Sequence, residues 1–189
     1  KKIKEKHSEL CRINAINRQL AINEDANYLR SLGDVFITEP KNASKLMKRA
    51  KETTVNTKGK INKKKRFGKS IKNRCPSGFQ AAVEEKFKTT GGTYIEVPND
   101  YRASQYDHTA DDYIKKKLSD RMYHLADGTL VQRDWYSSFL LYCYDYRTRN
   151  IDRDRCISEF EKCYSKEEAL IKRIKINRIK VLNSGIKIV

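Results

Sequence analysis

Two carboxylates in this chain stand where catalytic groups of an open sheet are usually found. Glu39 closes the run Val35-Phe36-Ile37-Thr38-Glu39 just ahead of Pro40, and Asp134 lies in Gln132-Arg133-Asp134-Trp135 at the start of an apolar helical pattern. Open α/β sheets carry their sites at the carboxyl ends of strands. Two acids from separate elements, beside a positive groove, are hard oxygen ligands of the kind that hold Mg²⁺ ions about 3.5–4 Å apart during phosphodiester cleavage. Glu39 reads equally as a strand-end acid paired with a neighbouring lysine, and Asp134 as a helix N-cap. Spacing alone leaves both readings open.

The positive groove has a clear source. Between Lys41 and Arg74 there are fourteen Lys and Arg against the single acid Glu52, so this stretch carries +13 of the chain's net +17. Outside it the charge is nearly balanced, so the excess is a local device for binding a polyanion. Each phosphate neutralised by Lys or Arg releases condensed counterions, and nucleic-acid binding with a steep salt dependence is expected. The expected phosphate contacts are Lys48, Arg49, Lys63, Lys64, Lys65, Arg66, Lys69 and Arg74. No apolar face accompanies the run as a membrane-surface helix would require. Phe67-Gly68-Lys69-Ser70 has the ending of a phosphate-binding loop, but position 63 is Lys where that loop needs glycine.

The elements that must position these groups follow from periodicity. Leu10, Ile13, Ile16 and Leu20 step by three and four, and Leu29 and Leu32 extend them, which predicts a helix over 8–32 ended by Gly33. The β-branched run 34–39 predicts a buried strand. A helical turn or two is expected near 43–51, with little pattern after it. Pro76 at a first turn, with Phe79, Ala82, Val83 and Phe87 at helical spacing, predicts a helix over 76–88 broken by Gly91-Gly92. Thr93-Tyr94-Ile95-Glu96-Val97-Pro98 predicts a second strand. Residues 99–131 are polar, with Asp127-Gly128 as a turn signal, and predict an inserted hairpin region. Asp134 is expected to cap a third helix with Trp135, Phe139, Tyr142, Cys143 and Tyr146 on its apolar face, and 153–181 to continue helically. The expected class is α/β, with helices covering a small sheet.

Composition excludes several alternatives. No run of about 18 apolar residues exists to span a bilayer. The five cysteines contain no C-x-x-C and leave one over if paired, which argues against a disulfide framework and for a reducing compartment, cytoplasmic or nucleoid-associated. A charged start with no signal peptide, and Lys rather than Met at position 1, lead us to expect a chain that has been cut, processed or taken from within a longer open reading frame.

The run Gln132-Arg133-Asp134-Trp135-Tyr136-Ser137-Ser138-Phe139-Leu140, preceded by Gly128-Thr129-Leu130-Val131, resembles the end of the RuvC-like nuclease domain in OrfB/TnpB transposon-encoded proteins, relatives of the type V CRISPR effectors. Val35-Phe36-Ile37-Thr38-Glu39-Pro40-Lys41-Asn42 is similar to that family's strand ending in glutamate. Arg66-Phe67-Gly68-Lys69-Ser70 and Gly91-Gly92-Thr93-Tyr94-Ile95-Glu96-Val97 resemble its linker and last sheet strand. The likeness covers about residues 8–147.

The resemblance implies an RNase H-like (RuvC-type) fold, incomplete here, in which Glu39 and Asp134 are the second and third members of an Asp-Glu-Asp triad holding Mg²⁺. It implies cutting of DNA chosen by pairing with a guide RNA, the protein supplying backbone contacts and metal chemistry. The family's first aspartate has no counterpart here. Where many members carry two cysteine pairs before the closing aspartate, this chain has none between Cys75 and Cys143. His108, Asp111 and His124 would be an unusual zinc set, so a ribbon-like hairpin without zinc, packed by its tyrosines, is expected. The expected organisation is 1–98 as a RuvC-like segment, 99–131 as the insert, 132–150 as the closing helix and 151–189 as a basic helical extension. Two functions follow: the C-terminal part of an RNA-guided, Mg²⁺-dependent DNA endonuclease, or a catalytically inactive DNA- or RNA-binding remnant or regulator. A ribosomal-type basic protein is a third, and it gives Glu39 and Asp134 no special place.

Overall fold

A computed structural model describes residues 2–48, 52–62, 68–98, 100–117, 119–181 and 184–188. The chain is mixed α and β, and its described strands form four separate two-stranded sheets. It divides into two compact units, residues 1–36 with 40–95, and residues 37–39 with 96–189.

The first unit is built on two helices. α1 (Lys2–Leu32) starts earlier than its periodicity suggests, and α4 (Pro76–Thr89) matches its predicted span, with Pro76 in the first turn where a missing N–H costs nothing. The stripe Leu10, Ile13, Ile16 and Leu20, read from spacing as the packed face, is exposed, and the buried residues of α1 are Ile22 and Ala26. The physical reason is length: α4 has 14 residues against 31 in α1, so it can cover only part of its partner. Ala26, Val83 and Phe87 make the core, with Leu29, Phe36, Phe79 and Tyr94 against it. Between these helices, α2 (Ala43–Met47) is capped by the Asn42 side chain, and α3 (Gly68–Arg74) is a short helix that periodicity did not predict.

Strands β1 (Val35–Thr38) and β2 (Thr93–Glu96) pair with one another. Thr93 N donates to Asp34 O at 2.7 Å and Val97 N to Thr38 O at 3.0 Å, at one constant sequence offset, so the strands run parallel. Gly92 stands at a close approach before β2. A Cβ there would lie 2.8 Å from Phe87 Cδ1 and 3.1 Å from Asp34 O, which leaves no room for a side chain.

The second unit gathers what the sequence divides into insert, closing helix and extension. Its elements are the hairpins β3–β4 (Tyr106–Asp107, Asp112–Tyr113) and β5–β6 (Met122–His124, Leu130–Gln132), then α5 (Arg133–Tyr142), the hairpin β7–β8 (Tyr144–Asp145, Asn150–Ile151) and α6 (Arg153–Ile176). Asp127-Gly128 does turn β5 into β6, with Gly128 at φ +88. One cluster of Ala103, Tyr106, Leu125, Val131, Tyr136, Phe139, Leu140, Cys143 and Cys156 unites them. The apolar face of α5 differs from its predicted composition. Tyr136 and Leu140 are fully buried, whereas Tyr142 is 48% exposed and Tyr146 leaves the helix for the β7–β8 turn. The N-cap also differs: Gln132, not Asp134, occupies it, its side chain accepting from Trp135 N at 2.7 Å.

Candidate functional site

Asp134 lies in the first turn of α5, where the unsatisfied N–H groups favour negative charge. Its carboxylate is 61% exposed and faces two arginines: Arg133 reaches Oδ1 at 3.1 Å, and Arg121 Nη1 stands 3.8 Å from Oδ2. Arg121 is delivered by the β5–β6 register, since Arg133 N donates to Arg121 O at 2.9 Å. Exposed ion pairs of this kind are worth about 0.2–1 kcal/mol. Both are therefore easily exchanged for a stronger ligand of either charge.

Glu39 is exposed just past the end of β1. Its charge contributes to raising the Tyr101 phenol, a shift caused mainly by burial, and the Tyr101 hydroxyl donates to Leu140 O on α5 at 2.9 Å. Among the described residues no three His, Cys, Asp or Glu side chains gather into a metal-binding group. Two acids, one engaged by arginine at both oxygens, are fewer donors than a two-metal centre requires. The described donor set therefore does not by itself make up a Mg²⁺ site.

The cations of the basic segment are open to solvent wherever their side chains are described. Lys41, Lys45, Lys48, Lys58, Lys60, Lys72 and Arg74 are all exposed. Lys58 and Lys60 flank a tight turn closed by Asn56, whose side-chain oxygen accepts from both of their backbone amides at 2.9 and 3.0 Å. Lys72 and Arg74 lie on α3, as does the backbone of Lys69. Arg49, Lys63, Lys64, Lys65 and Arg66 fall outside the described residues.

The insert is organised by an acid that sequence reading passed over. Asp107 is 1% exposed; its Oδ1 accepts from Thr109 N and Thr109 Oγ1 at 3.0 and 2.7 Å, and its Oδ2 from Ala126 N at 2.9 Å. Burial raises its pKa, but those donors outweigh burial and the net shift is downward. One carboxylate thus ties the β3–β4 turn to the β5–β6 turn.

His108, Asp111 and His124 are not gathered. His108 is 3% exposed, its backbone N–H donates to Tyr136 Oη at 3.1 Å, and its Nδ1 lies 2.7 Å from the same oxygen. In the neutral ring either partner can donate in that contact, according to which ring nitrogen carries the proton. Burial depresses the imidazole pKa, consistent with this neutral form. Asp111 accepts from the Tyr106 hydroxyl at 2.7 Å, and His124 Nδ1 donates to Gly128 O at 2.8 Å. Arg153 Nε to His108 O at 3.0 Å and Tyr164 Oη to Leu130 O at 2.9 Å fasten the insert to α6.

Two more charged groups escaped sequence reading. Lys116 is partly buried with its Nζ 3.6 Å from the Tyr123 ring centroid, and burial lowers its pKa. Glu167 on α6 is 4% exposed, and neither of its carboxylate oxygens has a well-formed hydrogen bond. Burial pushes it up to about 7, offset only in part by the Gln132 amide.

No protein-family model matches this chain, and no curated protein matches it either. Among the described residues, no helix is long and apolar enough to cross a membrane.

Proposed function

We propose that the chain binds nucleic acid through its basic segment and corresponds to the C-terminal part of an RNA-guided, Mg²⁺-dependent DNA endonuclease of the OrfB/TnpB type, with an RNase H-like ancestry. The observation that carries the binding half is electrostatic: fourteen cations against one acid over 41–74, with every described cation of that stretch exposed. Surfaces of this density exist at the cost of self-repulsion and are relieved by a polyanion. The nuclease half rests on the motifs around Glu39 and Asp134, and those two residues would supply two of the metal's ligands.

The second reading, a binding remnant or regulator without catalysis, is favoured by a specific observation. Asp134 is engaged by Arg121 and Arg133, and no third acid joins it among the described residues. The two readings separate in one experiment. The protein, supplied with guide RNA and Mg²⁺, is given target DNA alongside an Asp134→Ala variant. Cutting by the wild type and none by the variant, at equal affinity, supports the nuclease. Binding without cutting by both supports the remnant. Affinity that does not change between 50 and 200 mM salt refutes both, because contacts to 6–10 phosphates would cost about 10³–10⁵ in that range.

A further inference from the structure

α6 outruns the core that it belongs to. Its last buried residue is Glu167, and the turns from Glu168 to Ile176 carry the helix on by about 13 Å at 1.5 Å per residue. From Leu170 onward the chain has Lys172, Arg173, Lys175, Arg178, Lys180 and Lys187 with no acid, whereas residues 75–169 hold 17 acids against 14 Lys and Arg. All six cations are exposed, while Ile171 and Ile174 between them are half-buried. The cations thus face outward, Ile171 and Ile174 turn inward, and Leu170, Ile176 and Ile179 stand exposed beside the cations.

The helix end is built around one of these cations. Asn177 is the C-cap; Ile179 N donates to Ile174 O at 3.0 Å and Arg178 N to Lys175 O at 3.1 Å, the paired bonds of a Schellman motif. The left-handed position in that motif favours glycine, yet Arg178 occupies it at φ 50. An arginine side chain is thus held where glycine would be less strained.

The tail then returns to Asp134's corner. Gln132 Nε2 donates to Ser184 O at 3.3 Å, and Ser184 is 8% exposed. Gly185, at φ +78, lies so close to β5 that a Cβ would sit 2.6 Å from Arg121 Cβ and 3.1 Å from Met122 Cγ. Arg121 is the same residue that pairs with Asp134.

We infer that the end of α6 and the tail docked through Gly185 are a second phosphate-backbone surface, one that leads nucleic acid to the N-terminus of α5. This inference rests on the nucleic-acid reading above but names a surface separate from 41–74.

The test is fluorescence anisotropy with a labelled 20-nucleotide single-stranded DNA between 50 and 200 mM NaCl. The wild type is compared with a quadruple variant (Lys172→Gln, Arg173→Gln, Lys175→Gln, Arg178→Gln) and with Gly185→Ala, which leaves charge unchanged but displaces the tail. The quadruple variant is expected to lower the log–log salt slope by up to about 0.7 for each phosphate that is no longer neutralised. Gly185→Ala is expected to weaken binding at 50 mM severalfold; should it fail to fold, the charge variant decides. If the wild type binds with a salt slope that the quadruple variant retains, this surface is wrong while the nucleic-acid reading stands. If the wild type shows no salt-dependent binding, the underlying reading fails. Wild-type binding to phosphatidylserine vesicles that is tighter than to DNA, and abolished in the quadruple variant, would assign the surface to lipid and overturn the inference.

Discussion

Residues 41–74 and 101–167 spend their polar groups in opposite ways. In the first stretch the described charged side chains are exposed and the described local structure is made by small backbone devices: Asn42 capping α2, Asn56 closing a turn over Lys58 and Lys60, and the short α3. In the second, several polar groups are drawn inward and matched, with Lys116, Tyr123 and Glu167 as exceptions. Asp107 accepts three hydrogen bonds from Thr109 and Ala126, and His108 and Tyr136 share a hydrogen-bonded contact beneath Phe160, whose ring centroid is 4.7 Å from the imidazole. A surface meant for phosphates keeps its charge in water, where it can be exchanged. A core that must hold one arrangement hides its polar groups, where an unmatched one is expensive.

Removing a ring from the interior should show the contrast most sharply. Tyr136 is fully buried and touches Trp135, Phe139 and Phe160 edge-on or tilted. Tyr136→Ala should cost about 3–5 kcal/mol in urea unfolding, and a loss under 1 kcal/mol would mean that the second unit is not packed as described. Glu167 works in the opposite direction. Its folded pKa of about 7 lies above the ordinary value of 4.5, so ionisation weakens the fold as pH rises from 4.5 to 7 and the penalty stays constant above that. Glu167→Gln should therefore raise stability at pH 8 by about 2–3 kcal/mol and leave it unchanged near pH 4. An equal gain at both pH values would assign the effect to packing instead.

Asp107 has the depressed pKa and the reverse sign: its contribution is present above the unfolded value and disappears as pH falls through the folded one. Asp107→Asn turns an amide N–H₂ toward a donor and should cost about 1–3 kcal/mol at pH 7, with a smaller difference from wild type in acid; thermal unfolding at pH 7 and pH 3 checks this. The smallest effect on stability belongs to the exposed stretch. Lys58→Gln with Lys60→Gln should change the unfolding free energy by less than about 0.5 kcal/mol while flattening the salt dependence of DNA binding by up to about 0.9 per phosphate on a duplex. A loss of stability without a change in that slope would show these lysines to be structural.

The sequence made some of this visible. Pro76 and Gly91-Gly92 bracket α4 because their backbone limits are local. Asp127-Gly128 marks the β5–β6 turn, but the dipeptide does not fix the register, which pairs Met122 with Gln132 and so brings Arg121 beside Arg133. Other features depend on contacts remote in sequence. Asp107 is one of many acids until Ala126, 19 residues on, donates to it. α3 has Ile71 as its one large apolar residue, so no period announces it. The stripe from Leu10 to Leu20 has helical spacing yet remains exposed, because periodicity reports an apolar face without saying what lies against it. Of the candidate site, the positions of Glu39 and Asp134 at element boundaries were legible; the arginines around Asp134 and the return of the tail were not.

A loop pinned by thiolates is vulnerable to peroxide and to scarcity of its ion. One pinned by Asp107 has a different weakness, because its latch is opened by a proton. The turns that carry Ala126 and Thr109 should accordingly loosen together on strong acidification.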